Sequence, residues 1–295
     1  MTKPVATVSV DVDPVDLHLV GYGYRSLPPD PLVYTTALPR LLDCFGRCGV
    51  RATFFVVARD ATAHAPMLAR IVAEGHEVAS HSLTHPLALA RLPQDAMRRE
   101  LAESRGLLEE QSGGPVVGFR SPNFDMDARA LERLAEAGYA YDASAYPTPM
   151  LVPARMLLAL KSRDAGGVLK LRAWPFTWRR EPHVVTAGTR SLHEFPVSVT
   201  PALRWPVYHT LRYGMGDGRF RRILDGFVKR KEPLSYPLHA VDALGLREDH
   251  IDARLAKHPG LDRKLADKLA LLDRTIAAIA ERFDALPFRE RLTAA

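Results

Sequence analysis

The amino-acid sequence predicts a single α/β domain in which parallel strands alternate with helices around a barrel. Short β-branched or apolar runs alternate with segments of helical periodicity along most of the chain. Glycines follow three of the predicted helices, as C-terminal caps do, at Gly49, Gly75 and Gly138. Because this β-α unit recurs six or seven times, the pattern favours a barrel over an open sheet.

The individual elements follow from the same periodicities. The predicted strands are Ala6–Val10, Ala52–Val57, Glu77–Ser80, Val116–Phe119, Ala140–Asp142, Leu192–Val197 and Leu234–His239. The predicted helices cover residues 35–48, 63–74, 94–111, 127–137, 218–231 and 261–283. The last of these has an apolar stripe and is expected to close the domain.

Residues 146–191 interrupt this alternation and are expected to form an insertion. The stretch from Leu151 to Arg190 contains eight basic residues and only two acidic ones, and it carries Trp174 and Trp178. An excess of positive charge favours an anionic partner, such as a phosphate or a membrane surface. The insertion is expected to lie over the active face as a lid or docking surface, or else to be a decorated surface loop.

Composition indicates an ordinary globular chain and a reducing compartment. Of the 295 residues, 47% are hydrophobic and 25% are charged, which argues against disorder. The strand predicted near the N-terminus argues against a signal peptide, and two cysteines are too few for a disulfide framework. We therefore expect a cytoplasmic protein that can contact the inner membrane face through residues 146–191.

Two carboxylates and two imidazoles lie at the ends of predicted strands. Asp11 and Asp13 end the first strand on one side, because residues i and i+2 of a strand point the same way. His81 and His85 follow the third strand, and neutral imidazole is the commonest protein ligand for a divalent transition metal. Asp13, His81 and His85 could bind a metal and leave Asp11 to deprotonate water. A strand-end Asp pair that only caps a turn is the alternative.

Three further residues end neighbouring strands. Arg120 could pair with Asp11 and keep it ionised, and Asp142 could hold Arg120 in turn. His239 could protonate a leaving amine, although a histidine at a strand end is often structural. The carboxyl ends of strands in a (β/α) barrel converge on one face, so all these groups are expected to meet there.

In their order along the chain these residues resemble the polysaccharide deacetylases with the NodB homology domain, carbohydrate esterase family 4. The matching motifs are Asp11-Val12-Asp13, His81-Ser82-Leu83-Thr84-His85, Arg120-Ser121-Pro122, Tyr141-Asp142 and Leu238-His239. The common family motif has adjacent aspartates, whereas the aspartates here are separated by Val12. The chain thus resembles an Asp-x-Asp subgroup, in which the roles of Asp11 and Asp13 could also be exchanged.

The resemblance implies a distorted (β/α)7 barrel and a hydrolase that removes an N-acyl group from an amino sugar. It implies one divalent metal ion, with zinc expected first and cobalt, nickel or manganese as alternatives. A backbone N–H after Arg120, from Asn123 or Phe124, is expected to stabilise the oxyanion. The basic insertion favours a phosphorylated, nucleotide-linked or polyprenyl-linked substrate.

Two other functions are compatible with the sequence. One is hydrolysis of another C–N bond, in a cyclic imide or ureide, which related barrels perform. The other is a metal-free carbohydrate- or lipid-binding module, although binding alone would need no base and no acid. Nucleic-acid binding is not expected, because the positive charge is concentrated in one insertion without a recognisable motif. The oligomeric state does not follow from the sequence.

Overall fold

The computed structural model describes residues 2–25, 28–161, 163, 166 and 179–292. The strands are β1 Val5–Val12, β2 Thr53–Val56, β3 Glu77–Ser80, β4 Gly118–Phe119, β5 Tyr141–Asp142, β6 His183–Ala187, β7 Arg190–Glu194, β8 Leu234–His239 and β9 Asp284–Ala285. The α-helices are α1 Val15–Gly21, α2 Leu38–Cys48, α3 Ala65–Ala73, α4 Gln94–Ser112, α5 Ala128–Glu136, α6 Leu151–Lys161, α7 His209–Arg212, α8 Asp217–Arg230, α9 Leu265–Arg282 and α10 Phe288–Arg291.

The strands form one sheet in the order β6-β7-β5-β4-β3-β2-β1-β8, and β9 pairs with the start of β1. Along this order every pairing from β7 to β8 is parallel, and β6 is antiparallel to β7. The predicted α/β barrel class is confirmed, but the sheet is not closed. The opening lies between β7 and β8. Among the described residues, the backbone hydrogen bond that bridges it joins Ser198 N–H to the Ser235 carbonyl, at 3.1 Å.

Aromatic side chains form a second buried cluster in the interior. Phe55, Tyr141, Phe195 and Phe288 pack together there, with ring centroids 5.0–6.1 Å apart. The N–H of Phe288 donates to Thr53 Oγ1, which fixes α10 at the start of β2. The cavity that holds the polar groups is lined by residues at or just after the carboxyl ends of the strands, such as Asp13, His81 and His239.

The predicted insertion contains α6 and the hairpin of β6 and β7, whereas Trp174 and Trp178 lie outside the described residues. Helix α9 begins at Leu265, four residues after the predicted start, and ends at Arg282. Among the described helices, none combines the length and the apolar character needed to cross a membrane.

Candidate active site

The loop after β3 brings His81 and His85 together in an unusual backbone conformation. Ser82 and His85 both have positive φ, at 68° and 60°, which non-glycine residues rarely adopt. Such conformations persist only where the surroundings impose them. Here Glu100 of α4 imposes it, because its carboxylate accepts hydrogen bonds from the N–H groups of Leu83 and Thr84, both at 2.9 Å. The Thr84 hydroxyl donates to the same carboxylate at 2.6 Å.

Asp13, His81 and His85 form a cluster that fits a divalent metal ion. Asp13 Oδ1 lies 3.4 Å from His81 Nε2 and 3.5 Å from His85 Nε2. Metal bonds of about 2.0–2.1 Å in tetrahedral geometry place ligand atoms about 3.4 Å apart. Asp13 Oδ1 is buried and has no hydrogen-bond partner within the described part of the chain. A buried carboxylate oxygen in this state needs a cation or a proton.

The two histidines are prepared to act as neutral ligands. His81 Nδ1–H donates to the Arg120 carbonyl at 2.7 Å, which leaves the Nε2 lone pair directed at the cluster. Burial lowers the pKa of both rings, that of His85 to about 4, so both are uncharged at neutral pH. Burial also raises the pKa of Asp13, a cost that a bound cation would offset.

Asp11 and Arg120 form a fully buried ion pair beside this cluster. Arg120 Nη1 donates to Asp11 Oδ1 at 2.7 Å and to Ser9 Oγ at 3.0 Å, and its Nε donates to the Ala143 carbonyl at 3.0 Å. The guanidinium also lies 4.2 Å from the centre of the Phe55 ring. Burial acts to raise the pKa of Asp11, but the charge and hydrogen bond of Arg120 together with the nearby His81 and His239 outweigh burial, so the pKa is lowered.

His239 faces Asp11 from the end of β8. Its Nε2 lies 3.9 Å from Asp11 Oδ2. The Asp242 carboxylate accepts a hydrogen bond from the backbone N–H of His239 at 2.9 Å, which fixes the turn that follows β8. Asp11, Asp13, His81, His85 and His239 all line one cavity of about 270 Å³.

Asp142 does not make the contact expected of it. Its carboxylate accepts a hydrogen bond from the Ser144 hydroxyl at 2.6 Å and lies opposite Glu194 of β7 in the strand register. Burial raises the pKa of Asp142 to about 6, and burial together with Asp142 raises the pKa of Glu194 well above its usual value. The two carboxyl groups therefore share a proton, and the residues that hold Arg120 are Asp11, Ser9 and Ala143.

The segment after Arg120 supplies one candidate oxyanion donor rather than two. Asn123 and Phe124 both have positive φ, at 55° and 54°. Phe124 N–H already donates to the Ser121 carbonyl at 3.0 Å, so this donor is occupied. The Asn123 side chain is fixed by a hydrogen bond from its Nδ2 to the Leu87 carbonyl at 3.2 Å. Both residues line the cavity, and the N–H of Asn123 remains the candidate.

Three basic residues of the cavity wall were not predicted as site residues. His18 follows Asp13 on α1, and its ring packs against that of His258 at a centroid distance of 4.8 Å. Burial lowers the pKa of both rings, that of His258 to about 4. Arg155 of α6 completes the wall. Arg155 had a signal in the sequence as part of the basic stretch, and His18 had one because it lies five residues after Asp13, whereas His258 had none.

The chain is similar in sequence and in fold to known proteins. Residues 27–141 match the family model described as polysaccharide deacetylase. This part of the chain is thus similar to the polysaccharide deacetylases. Over 112 residues it is 35% identical to a chitooligosaccharide deacetylase of Sinorhizobium fredii, covering 38% of this chain and 50% of that protein. Over 141 residues it is 28% identical to a peptidoglycan deacetylase of Helicobacter pylori, covering 46% and 47%.

These matches confirm the resemblance that the sequence predicts. The chain spans about half the length of these relatives. Solved structures share the fold of this chain. A family 4 carbohydrate esterase from Streptomyces lividans aligns with a TM-score of 0.50 and 14% identity, over 95% of this chain and 90% of its own. An allantoinase aligns with a TM-score of 0.57 and 17% identity, over 98% and 89%.

Proposed function

We propose that this protein is a metal-dependent hydrolase that removes an N-acetyl or N-formyl group from an amino sugar. The observation that supports this most directly is the position of the Asp13, His81 and His85 cluster beside the buried pair of Asp11 and Arg120 in one cavity. A metal cluster without a base would suit structural binding, whereas a cluster beside an ionised carboxylate suits hydrolysis.

Asp13, His81 and His85 would hold the metal, and zinc fits this donor set best. When bound, a divalent cation supplies Lewis-acid polarisation of the acyl oxygen and lowers the pKa of a nearby water. Asp11 accepts a proton from the attacking water, because Arg120 keeps its carboxylate ionised and oriented. The N–H of Asn123 stabilises the negative charge that develops on the acyl oxygen.

His239 completes the reaction at the amine. Its ring lines the cavity, and in the imidazolium form it would donate the Nε2 proton to the nitrogen as the C–N bond breaks, which leaves the ring neutral. Because Asp11 Oδ2 lies 3.9 Å away, the proton taken from water can return to His239 Nε2. One water is consumed, and one carboxylic acid and one free amine are formed.

The substrate is proposed to carry an anionic group, such as a phosphate of a nucleotide- or polyprenyl-linked sugar. Arg155 supports this, because it lies in the cavity wall and burial lowers its pKa. A desolvated guanidinium favours a bidentate anionic partner. Arg180, which the charge pattern also offered, instead bonds Glu181 and Glu232 at 3.3 and 3.4 Å. We propose a cytoplasmic location, consistent with the free thiols of Cys44 and Cys48.

The test combines metal content with product analysis. Purified protein is incubated with a panel of N-acetyl and N-formyl amino-sugar conjugates, soluble and lipid-linked, and the products are identified by mass spectrometry. We expect one metal ion per chain and a product that has lost one acyl group. The His81→Ala variant should bind no metal and should leave the substrate unchanged. The proposal fails if the deacylation survives both His81→Ala and a chelator.

For a substrate identified in this way, Arg155→Gln should raise the KM of the phosphorylated conjugate about tenfold or more and change the KM of its uncharged analogue little. An equal change in KM for both compounds would remove the argument for an anionic substrate. Arg190→Gln is the control, because Arg190 lies on β7, where it bonds the Ala135 carbonyl.

A further inference from the structure

Helix α6 has two faces with different environments. Leu151, Arg155 and Ala159 are spaced four residues apart on one face, and Leu151 and Arg155 line the active-site cavity. Leu151 and Ala159 are buried on this side. The helix therefore contributes one stripe of side chains to the site and leaves another stripe outside.

The outer stripe of α6 is apolar and exposed. Val152, Met156, Leu157 and Leu160 are 39%, 57%, 53% and 84% exposed. Scattered exposed apolar residues are normal, but four on one face of a short helix form a continuous surface. Only two large hydrophobic side chains elsewhere in the described chain are this exposed, Val184 and Leu203.

A cationic cluster lies at the C-terminal end of the same helix. Lys161 and Arg163 are exposed, and the Lys161 carbonyl accepts a hydrogen bond from Lys257 Nζ at 3.0 Å. The cations of Arg163, Arg254 and Lys257 lie 5.4, 5.0 and 4.9 Å from the centre of the Tyr24 ring. An apolar helix face followed by cations and an aromatic ring is typical of segments that lie in a membrane interface.

We propose that this α6 surface, made of Val152, Met156, Leu157, Leu160, Lys161 and Arg163, docks on an anionic lipid surface. The apolar stripe inserts at the level of the headgroups, and Lys161 and Arg163 contact their phosphates. Because the inner face of α6 lines the cavity, docking brings the active site next to the lipid. This inference extends the proposed function by naming the surface at which the substrate is met, but vesicle binding itself does not depend on catalysis.

Electrostatics favours a lipid surface, rather than a second copy of this chain, as the partner that covers the α6 surface. In a two-fold symmetric dimer the same patch meets itself, so the cations of the two chains would lie close together. The patch itself carries Lys161 and Arg163, and Lys257 lies beside them at the Tyr24 ring. An anionic surface neutralises this charge, whereas a second copy doubles it.

The test is flotation of the metal-loaded full chain with two kinds of vesicle. One contains phosphatidylcholine alone, and the other also contains about 30 mol% phosphatidylglycerol, which gives a strong negative surface potential. The triple variant Met156→Ser, Leu157→Ser, Leu160→Ser removes the stripe. Leu203→Ser is the matched control, because Leu203 is 77% exposed away from α6. The double variant Lys161→Gln, Arg163→Gln tests the cations.

The wild-type chain should bind the anionic vesicles and lose affinity as salt is added. The triple variant should bind about tenfold more weakly or worse, and Leu203→Ser should bind as the wild type does. Unchanged binding by the triple variant, or no binding by the wild type, overturns the proposal. So does a wild-type dimer in sedimentation that the triple variant dissociates. Hydrolysis of a soluble substrate should be equal in all variants, so a failure of docking is distinguished from a failure of catalysis.

Discussion

The Arg120→Met variant tests whether the buried ion pair between Arg120 and Asp11 stabilises the protein. Arg120 is fully buried, and the change removes its bonds to Asp11, Ser9 and Ala143 while it keeps much of the side-chain volume. Removing one partner of a buried ion pair leaves an uncompensated charge and costs about 3–5 kcal/mol. For a domain of this size we expect the melting temperature to fall by about 10 °C.

The pH dependence of this cost follows from the pKa of Asp11. In the wild type burial acts to raise this pKa, but Arg120 and the nearby histidines together lower it below its ordinary value, so these contacts contribute stability above the ordinary carboxyl pKa. That contribution is lost as the pH falls through the lowered pKa. Without Arg120 the pKa of Asp11 should lie above its ordinary value, and protonation then relieves the buried charge. The difference between wild type and variant should therefore be largest near pH 7.5 and smaller near pH 5.

The assay is urea denaturation in the presence of a chelator at these two pH values. Arg47→Met is the control, because Arg47 forms an equally short ion pair with Asp273 in which both side chains are exposed. Exposed pairs contribute about 0–1 kcal/mol. Adding Asp11→Asn to Arg120→Met should recover part of the loss by removing the stranded charge. A cost for Arg120→Met no larger than that of Arg47→Met, or one independent of pH, would refute the reasoning.

Two further substitutions test the supports of the site. Glu100→Gln weakens the carboxylate that holds the loop of the two histidine ligands, so metal affinity should fall about 10- to 100-fold in competition with a chelator. Glu103→Gln, exposed on the same helix, should leave it unchanged. Gly118→Ala would place its Cβ 1.9 Å from Cζ of Tyr141 and should cost about 1–3 kcal/mol or more in thermal unfolding. Gly106→Ala, with open space around it, should instead stabilise α4 by about 0.5–1 kcal/mol; equal effects of the two alanines would contradict the packing argument.

Strand positions were predictable because one physical signal determines them. The bounds of β3 and β8 agree with the prediction, since each is a short apolar or β-branched run that ends in a polar residue. Strand β9 has two residues, and no periodicity can be read from so short a segment. Helix α1 was missed because it follows Pro14 directly after the Asp-x-Asp segment and has only seven residues.

The site residues that lie at the ends of parallel strands could be predicted from the sequence. The partners of individual side chains could not, because tertiary packing determines them. Asp11, Arg120 and His239 come from three different strands, and parallel pairing brings their ends together. The partner of Asp142 was not predictable, because it depends on which residue of β7 lies opposite in the register. His258 is separated from the motifs by a long stretch of chain, so only tertiary packing against His18 brings it to the cavity.

In the basic insertion, each positive charge has to be located in the structure before it indicates a function. The sequence treats Arg155, Lys161 and Arg163 as one excess of positive charge. The structure places Arg155 in the cavity wall, and Lys161 and Arg163 on the exposed surface at the end of the helix. Arg155→Gln should therefore alter KM for an anionic substrate in solution without altering vesicle binding, and the Lys161→Gln, Arg163→Gln variant should do the reverse. If both variants changed both properties, the two faces of α6 would not be functionally separate, and substrate and lipid would be competing for one patch of charge.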